Sequence, residues 1–184
     1  MSVSIALVHY PVKDKRGRAA ATSITNFDIH DLARTARTYN VRRYYIINPM
    51  EAQKGFARRI IQHWNEGFGS KYNPSRGKAL EIAEVVDDLS RVVDLSEDPE
   101  GPVFVGTSAR ELPNMITFSD MRERLRMEDR EYCLVFGTGW GLHPSLVADL
   151  DLMLEPITGI GDYNHLSVRA AVAIILDRLL GREQ

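Results

Sequence analysis

The sequence predicts an α/β fold in which a parallel sheet lies between layers of helices. Three observations carry that reading. Five short runs, at residues 3–8, 44–47, 103–105, 132–136 and 150–154, are bounded by turn residues, and several are almost wholly apolar, as expected of strands covered on both faces. Stripes with helical spacing separate them. Glycine gathers late, in turns that directly follow the last three strands.

Each element has its own justification. After the first strand, Ile29, Leu32, Ala33 and Ala36 fall at i, i+3, i+4 and i+7 and predict a helix over about 28–39 that feeds the second strand. Phe56, Ala57, Ile60, Ile61 and Trp64 predict a second helix; Ala79, Ile82, Ala83, Val86 and Leu89 predict a third. The stretch 66–77, with Gly67, Gly69, Pro74 and Gly77, reads as a loop, as does 96–102. Residues 91–94 suit either a sixth strand or a helix end. Residues 121–130 form a charged helix with an ordinary solvent face. The final helix, over 164–180, is apolar on almost every side and should be buried all round, as a core helix or between the sheet and a partner chain.

Composition bounds the function. The chain has 184 residues, 44% hydrophobic, with 23 Lys+Arg against 25 Asp+Glu for a formal charge of −2. That describes one ordinary domain, 1–184, and excludes a disordered or collagen-like chain. Cys133 is the single cysteine, so neither an intramolecular disulfide nor a cysteine-based zinc cluster is available, and its apolar strand makes it a buried small side chain. His9, His30, His63, His143 and His165 show no paired ligand spacing, and no metal is expected. No apolar run has the length of a membrane span and no signal-peptide pattern opens the chain, so a cytoplasmic protein is expected. With net charge near zero, nucleic-acid binding would need a local patch. Residues 13–18 offer one: Lys13, Lys15, Arg16 and Arg18 are four basic residues in six. The same composition suits a solvated hairpin tip.

The first strand runs into His9, Tyr10 and Pro11 with no Gly-x-Gly-x-x-Gly, and no Gly-x-x-x-x-Gly-Lys-Ser/Thr occurs. A dinucleotide-binding Rossmann domain and a P-loop enzyme are therefore disfavoured. The glycine-containing turns at 106–109, 136–142 and 156–161 follow the late strands instead. In a parallel sheet such turns share the carboxyl edge, where ligands of open α/β sheets bind. Each alone could be a tight connection. Together they suit a flat, hydrogen-bonding group such as adenine, because glycine lets backbone groups approach a ligand.

The stretches 134–142 (Leu-Val-Phe-Gly-Thr-Gly-Trp-Gly-Leu), 154–159 (Leu-Glu-Pro-Ile-Thr-Gly) and 164–174, which opens Asn-His-Leu-Ser-Val-Arg, resemble the late motifs of the SPOUT (SpoU–TrmD) RNA methyltransferases. Residues 29–41, with Leu32-Ala33-Arg34-Thr35-Ala36 at their core, are similar to the family's first motif. More narrowly, the arrangement resembles the small, stand-alone bacterial members. The resemblance implies a parallel-sheet α/β knot, in which the C-terminal segment threads a deep trefoil knot. It also implies a homodimer that uses S-adenosyl-L-methionine to methylate RNA, either tRNA or rRNA.

Carried over residue by residue, the resemblance assigns cofactor binding to Thr107, to Gly137, Thr138, Gly139, Gly141 and Leu142, and to Ile157, Gly159, Ile160, Gly161, Asn164, Leu166 and Ser167. Ile157, Ile160 and Leu166 would enclose the adenine, and Asn164 or Ser167 would cap the last helix, whose free N–H groups favour an anion. Trp140 either covers the pocket or fills the dimer interface. Arg34 matches the arginine that helps bind RNA phosphate and activate a ribose hydroxyl in ribose-methylating relatives; its alternative is an exposed pair with Asp28 or Asp31. The relatives' asparagine six residues earlier is replaced here by Asp28, and Asn26 lies two residues too early. Ribose and base methylation both stay open, with Asp28 the candidate base and Asp162 and Tyr163 its rivals. The alternative function is a non-catalytic RNA-binding or assembly protein that keeps the fold.

Overall fold

The computed structural model describes residues 2–112 and 114–182. Its strands are β1 (Ser2–Val8), the two halves of a short hairpin, β2 (Val12–Lys13) and β3 (Ala19–Ala20), then β4 (Tyr44–Ile47), β5 (Ala83–Val86), β6 (Val103–Gly106), β7 (Glu131–Gly137) and β8 (Leu152–Met153). Its helices are α1 (Asn26–Thr38), α2 (Glu51–Asn65), α3 (Phe68–Tyr72), α4 (Pro74–Leu80), α5 (Leu89–Asp94), α6 (Phe118–Met127), α7 (Pro144–Val147) and α8 (Val168–Leu180). Six strands form one parallel sheet in the order β5-β4-β1-β7-β6-β8. The parallel α/β sheet expected from the alternation is present.

Every strand of the sheet therefore points its carboxyl end to the same edge. The middle strands are buried on both faces: Ile5, Leu7, Tyr44, Ile46, Leu134 and Phe136 belong to one core, and Ala6, Val8, Tyr45, Ile47, Cys133 and Val135 to the other. Burial of each large side chain contributes roughly 1.5–3 kcal/mol, which is why these strands read as continuous apolar runs. Tyr44 spends its hydroxyl proton on the carbonyl of Asp28 at 3.2 Å. Helix α1 starts where Thr25 and Asp28 exchange capping bonds, side chain to backbone in both directions.

Three expectations are corrected, and the choice left open at residues 91–94 is decided. The stripe from Ala79 to Leu89 is not a helix: α4 ends at Leu80 and residues 83–86 are β5, paired with β4. An edge strand with apolar residues also satisfies helical spacing by coincidence, and ladder bonds to β4 decide between the two. Residues 91–94 lie in α5, which Asp88 caps through Ser90 and Arg91. The stretch 66–77 is not a plain loop, because α3 and the start of α4 occupy it; Asn73 caps α4 and Pro74 takes its first turn. Helix α8 begins only at Val168, after its cap Ser167, and it is not buried all round. Val172, Ile175, Leu176 and Leu179 are buried, whereas Ala170, Ala173 and Ile174 are only half-covered.

One crossing sets up the edge. Strand β6 pairs with one side of β8, and Ile116 bridges to Leu154 along the other side. Residues 107–112 and 114–115 thus pass around the carboxyl end of β8. The chain leaving β8 must go by this strap.

Candidate active site

The loops that follow β6, β7 and β8 lie at one edge, since those strands are parallel and adjacent in the order β7-β6-β8. The first and third are tied directly: Asn164 Nδ2 donates to the carbonyl of Ala109 at 2.8 Å. Thr107 donates both its amide and its hydroxyl to Val135 O at 3.0 Å, fixing the start of the first loop on β7.

The third loop is the open one. Among the described residues, the backbone amides from Ile157 to Tyr163 make no hydrogen bond. A Cβ added at Gly159 or Gly161 would meet nothing within 4 Å. Ile160 is fully exposed, and Tyr163 and Leu166 are exposed too, while Ile157 packs against the core. Ser167 caps α8, accepting from Ala170 N at 3.3 Å. Asn164 instead serves the tie to Ala109.

The glycine loop after β7 is more engaged than its sequence suggests. It packs on the β2–β3 hairpin: Lys13 N donates to Gly141 O at 2.9 Å, and Trp140 N and His143 N donate to Lys13 O and Pro11 O. A Cβ at Gly137 would lie 2.5 Å from Leu142 N, so that glycine is needed for the loop to close on itself. Gly139 and Gly141 have φ of 58° and 91°, a region L side chains rarely adopt. Leu142 is buried in the second core with Val12 and Val135. Trp140 is 60% exposed.

Behind this loop runs a chain of hydroxyls. Thr138 Oγ1 donates to Val8 O at 3.0 Å. Its one proton being used, the 2.5 Å contact between Thr22 and Thr138 has Thr22 as donor, and the 3.0 Å contact between His9 and Thr22 has His9 Nδ1 as donor. Burial pushes His9 down to about 4 against a smaller upward pull from Asp28, so the ring is neutral at pH 7. Its bare Nε2 is buried without a partner.

The hairpin carries the basic residues at the carboxyl edge, beside the β7 loop. Lys15 and Arg16 are exposed, and Arg18 is held by Asp14 at 2.8 Å. Arg34 is exposed on α1, and among the described residues no carboxylate pairs with it. Asp31 pairs with Arg169 of α8 at 2.8 Å instead. Asp28 is buried, its carboxylate accepting from Thr25 Oγ1 at 2.6 Å. Burial pushes the Cys133 thiol far up, as a strand core requires.

Two hollows adjoin these elements. One of about 360 Å³ lies between the strap and the third loop, lined by Leu112, Met115, Thr117, Pro156 and Thr158 with Arg178 from α8. None of the expected cofactor residues lines it. The other, about 370 Å³, lies against α1, α2 and α4 around Trp64, and sequence reasoning missed it. Among the described residues there is no group of three or more His, Cys, Asp or Glu placed to hold a metal, and no helix long and apolar enough to cross a membrane.

A family model described as SAM-dependent RNA methyltransferase matches residues 2–181. The chain belongs to this family. The enzyme is therefore an RNA methyltransferase that uses S-adenosylmethionine. It is 45% identical over 185 residues to an uncharacterized protein of Aquifex aeolicus, covering 100% of this chain and 90% of that one. It is 44% identical over 178 residues to a tRNA (guanine-N(1)-)-methyltransferase of Nitratidesulfovibrio vulgaris, where the match takes 96% of this chain and 41% of the relative. The methyltransferase thus spans less than half the length of that named relative. Among solved structures, its fold is similar to the TrmH/SpoU tRNA modifying enzyme of A. aeolicus (TM-score 0.54, 19% identity, 97% of this chain and 73% of that one). It is also similar to the SpoU methyltransferase AviRb of Streptomyces viridochromogenes in complex with AdoMet (TM-score 0.56, 15% identity, 98% and 56%).

The edge suits that cofactor. Unpaired amides along 157–163 can meet the hydrogen-bonding rim of an adenine, the uncovered side chains of Ile160 and Leu166 can meet its faces, and the α8 N-terminus favours a carboxylate.

Proposed function

We propose that the loops after β6, β7 and β8 hold S-adenosylmethionine and that substrate RNA reaches them across Arg34 and the β2–β3 hairpin. The observation that carries this is the tie of Asn164 to Ala109, which joins the first and third loops beside a run of unpaired amides. When bound, the cofactor supplies a methyl group already activated on a sulfonium. The protein's part is orientation and charge. Thr107 and Asn164 fix the loops; Ile157, Ile160 and Leu166 surround the base; Gly159 and Gly161 admit it closely. Arg34, with no carboxylate partner among the described residues, holds an RNA phosphate near the acceptor, and Lys13, Lys15 and Arg16 extend the phosphate track. Asp28, locked in the cap of α1, keeps Arg34's helix in place, so we assign it a positioning role.

Two further features belong to this reading. The strap of residues 107–112 and 114–115 around the end of β8 supports a chain that threads it on the way to α8, the α/β knot. The half-covered face of α8 at Ala170, Ala173 and Ile174 supports a homodimer closed across that helix. The relatives' name makes tRNA the first substrate to test; the guanine N1 position is a property of proteins more than twice as long as the matched region.

The test is transfer of a labelled methyl group from S-adenosylmethionine to total RNA from cells that lack the protein, working at cytosolic pH. Incorporation is expected, falling about tenfold or more with Arg34→Ala, as loss of a charge-assisted contact requires. No incorporation into that RNA, with cofactor bound, would reject the reading.

A further inference from the structure

The hollow around Trp64 lies outside the three loops and has a composition of its own. His30, Phe56, Arg59, His63, Trp64 and Arg76 line it. Arg76 lies over the Trp64 ring at 4.7 Å, and the rings of His30 and His63 meet Trp64 edge-on at 5.6 and 5.3 Å. The arrangement is built: a Cβ at Gly69 would sit 2.6 Å from Trp64 Cε3, and one at Gly77 would sit 2.7 Å from Trp64 O. Glycine at 69 lets α3 close on the indole, and glycine at 77 lets α4 close on the backbone of Trp64.

Charge says what this face meets. Between residues 55 and 80, Arg58, Arg59, Lys71, Arg76 and Lys78 stand against a single acid, Glu66, on a chain whose net charge is −2. Among the described residues none of these five cations forms an ion pair. The His30 Nδ1 is buried and has no hydrogen-bond partner. Burial first, then the charges of Arg76 and Arg34, hold this imidazole below its usual range, so it is a neutral donor or acceptor at pH 7. Phe68 and Tyr72, both exposed, stack on each other at 6.0 Å beside the hollow. Arg34 lies one turn from His30 on the same face of α1. Unpaired cations interleaved with aromatic faces are what single-stranded nucleic acid binds.

We propose that this hollow is a subsite for an unstacked nucleotide of the substrate RNA, its base against Phe56 and Trp64 and its flanking phosphates on Arg59 and Arg76. The inference rests on RNA being the substrate. It places part of the RNA on α1, α2 and α4.

The probe is a fluorescein-labelled single-stranded RNA of ~15 nucleotides carrying 4-thiouridine, a length within the range one such groove covers. Arg59→Gln and Arg76→Gln should each weaken its binding about three- to tenfold and lower the slope of affinity against salt by about 0.7, while S-adenosylhomocysteine binding measured by calorimetry stays unchanged. Cross-linking of the wild-type protein should label peptides within 56–76. Variants that bind the RNA like wild type, or cross-links confined to other segments, overturn the subsite alone. A wild-type protein that binds S-adenosylhomocysteine but no RNA overturns the RNA reading and the subsite together.

Discussion

Asn164 donates to the carbonyl of Ala109 at 2.8 Å, joining the loop after β8 to the loop after β6. The bond is exposed, so its loss should cost the fold little. Asn164→Ala is expected to weaken S-adenosylhomocysteine binding by about five- to tenfold, one hydrogen bond's worth of preorganisation, with the melting temperature nearly unchanged. Calorimetry and thermal unfolding check both halves. Unchanged affinity would mean the third loop is not held for the cofactor.

Gly137 is a different kind of site residue. A Cβ there would lie 2.5 Å from Leu142 N and 2.9 Å from Gly141 C, both backbone atoms that cannot rotate away. Gly137→Ala should destabilise the protein by roughly 1–3 kcal/mol in urea unfolding and weaken cofactor binding, because the loop must open.

His9 gives stability a pH dependence. Its folded value of about 4 lies below the 6.5 of the unfolded chain, so between those pH values the unfolded state takes a proton that the native ring refuses. Stability from this source is full above about pH 6.5, shrinks as pH falls through the window, and is gone below about 4; its size is about 3 kcal/mol. Between pH 7 and about 4.5 the wild type should lose about 2 kcal/mol more than His9→Gln in urea unfolding. Parallel losses would show that the buried Nδ1–H tautomer does not matter.

Helix α8 offers the test of assembly. Ile174 sits opposite the buried stripe of Val172, Ile175, Leu176 and Leu179. Ile174→Glu should turn a dimer into a folded monomer in sedimentation, since a carboxylate cannot be buried unpaired at an interface. A wild type that sediments as a monomer would remove the dimer from the account.

Much of this architecture was legible in the residues. The runs at 3–8, 44–47 and 132–136 became β1, β4 and β7 because strands buried on both faces leave a continuous apolar signature. Helix α1 was visible in its stripe, while the Thr25/Asp28 cap that starts it came with the structure. The failures share a cause in contacts distant along the chain. β5 exists because β4 lies beside it, and no local spacing reveals that. Gly69 and Gly77 read as breakers, yet they are what seats α3 and α4 on Trp64. The glycines at 137–141 pointed to a ligand, but much of their backbone is taken by the hairpin, whereas the freer amides lie at 157–163. The basic face around Trp64 stayed hidden because Arg59 and Arg76 come from separate helices.

The most direct test of the cofactor cradle is amide chemical-shift mapping of the wild-type protein titrated with S-adenosylhomocysteine. The account predicts that the largest shifts fall in residues 107–112, 137–142 and 157–167. Shifts centred on the Trp64 hollow, or none at a ligand concentration that saturates calorimetry, would contradict it.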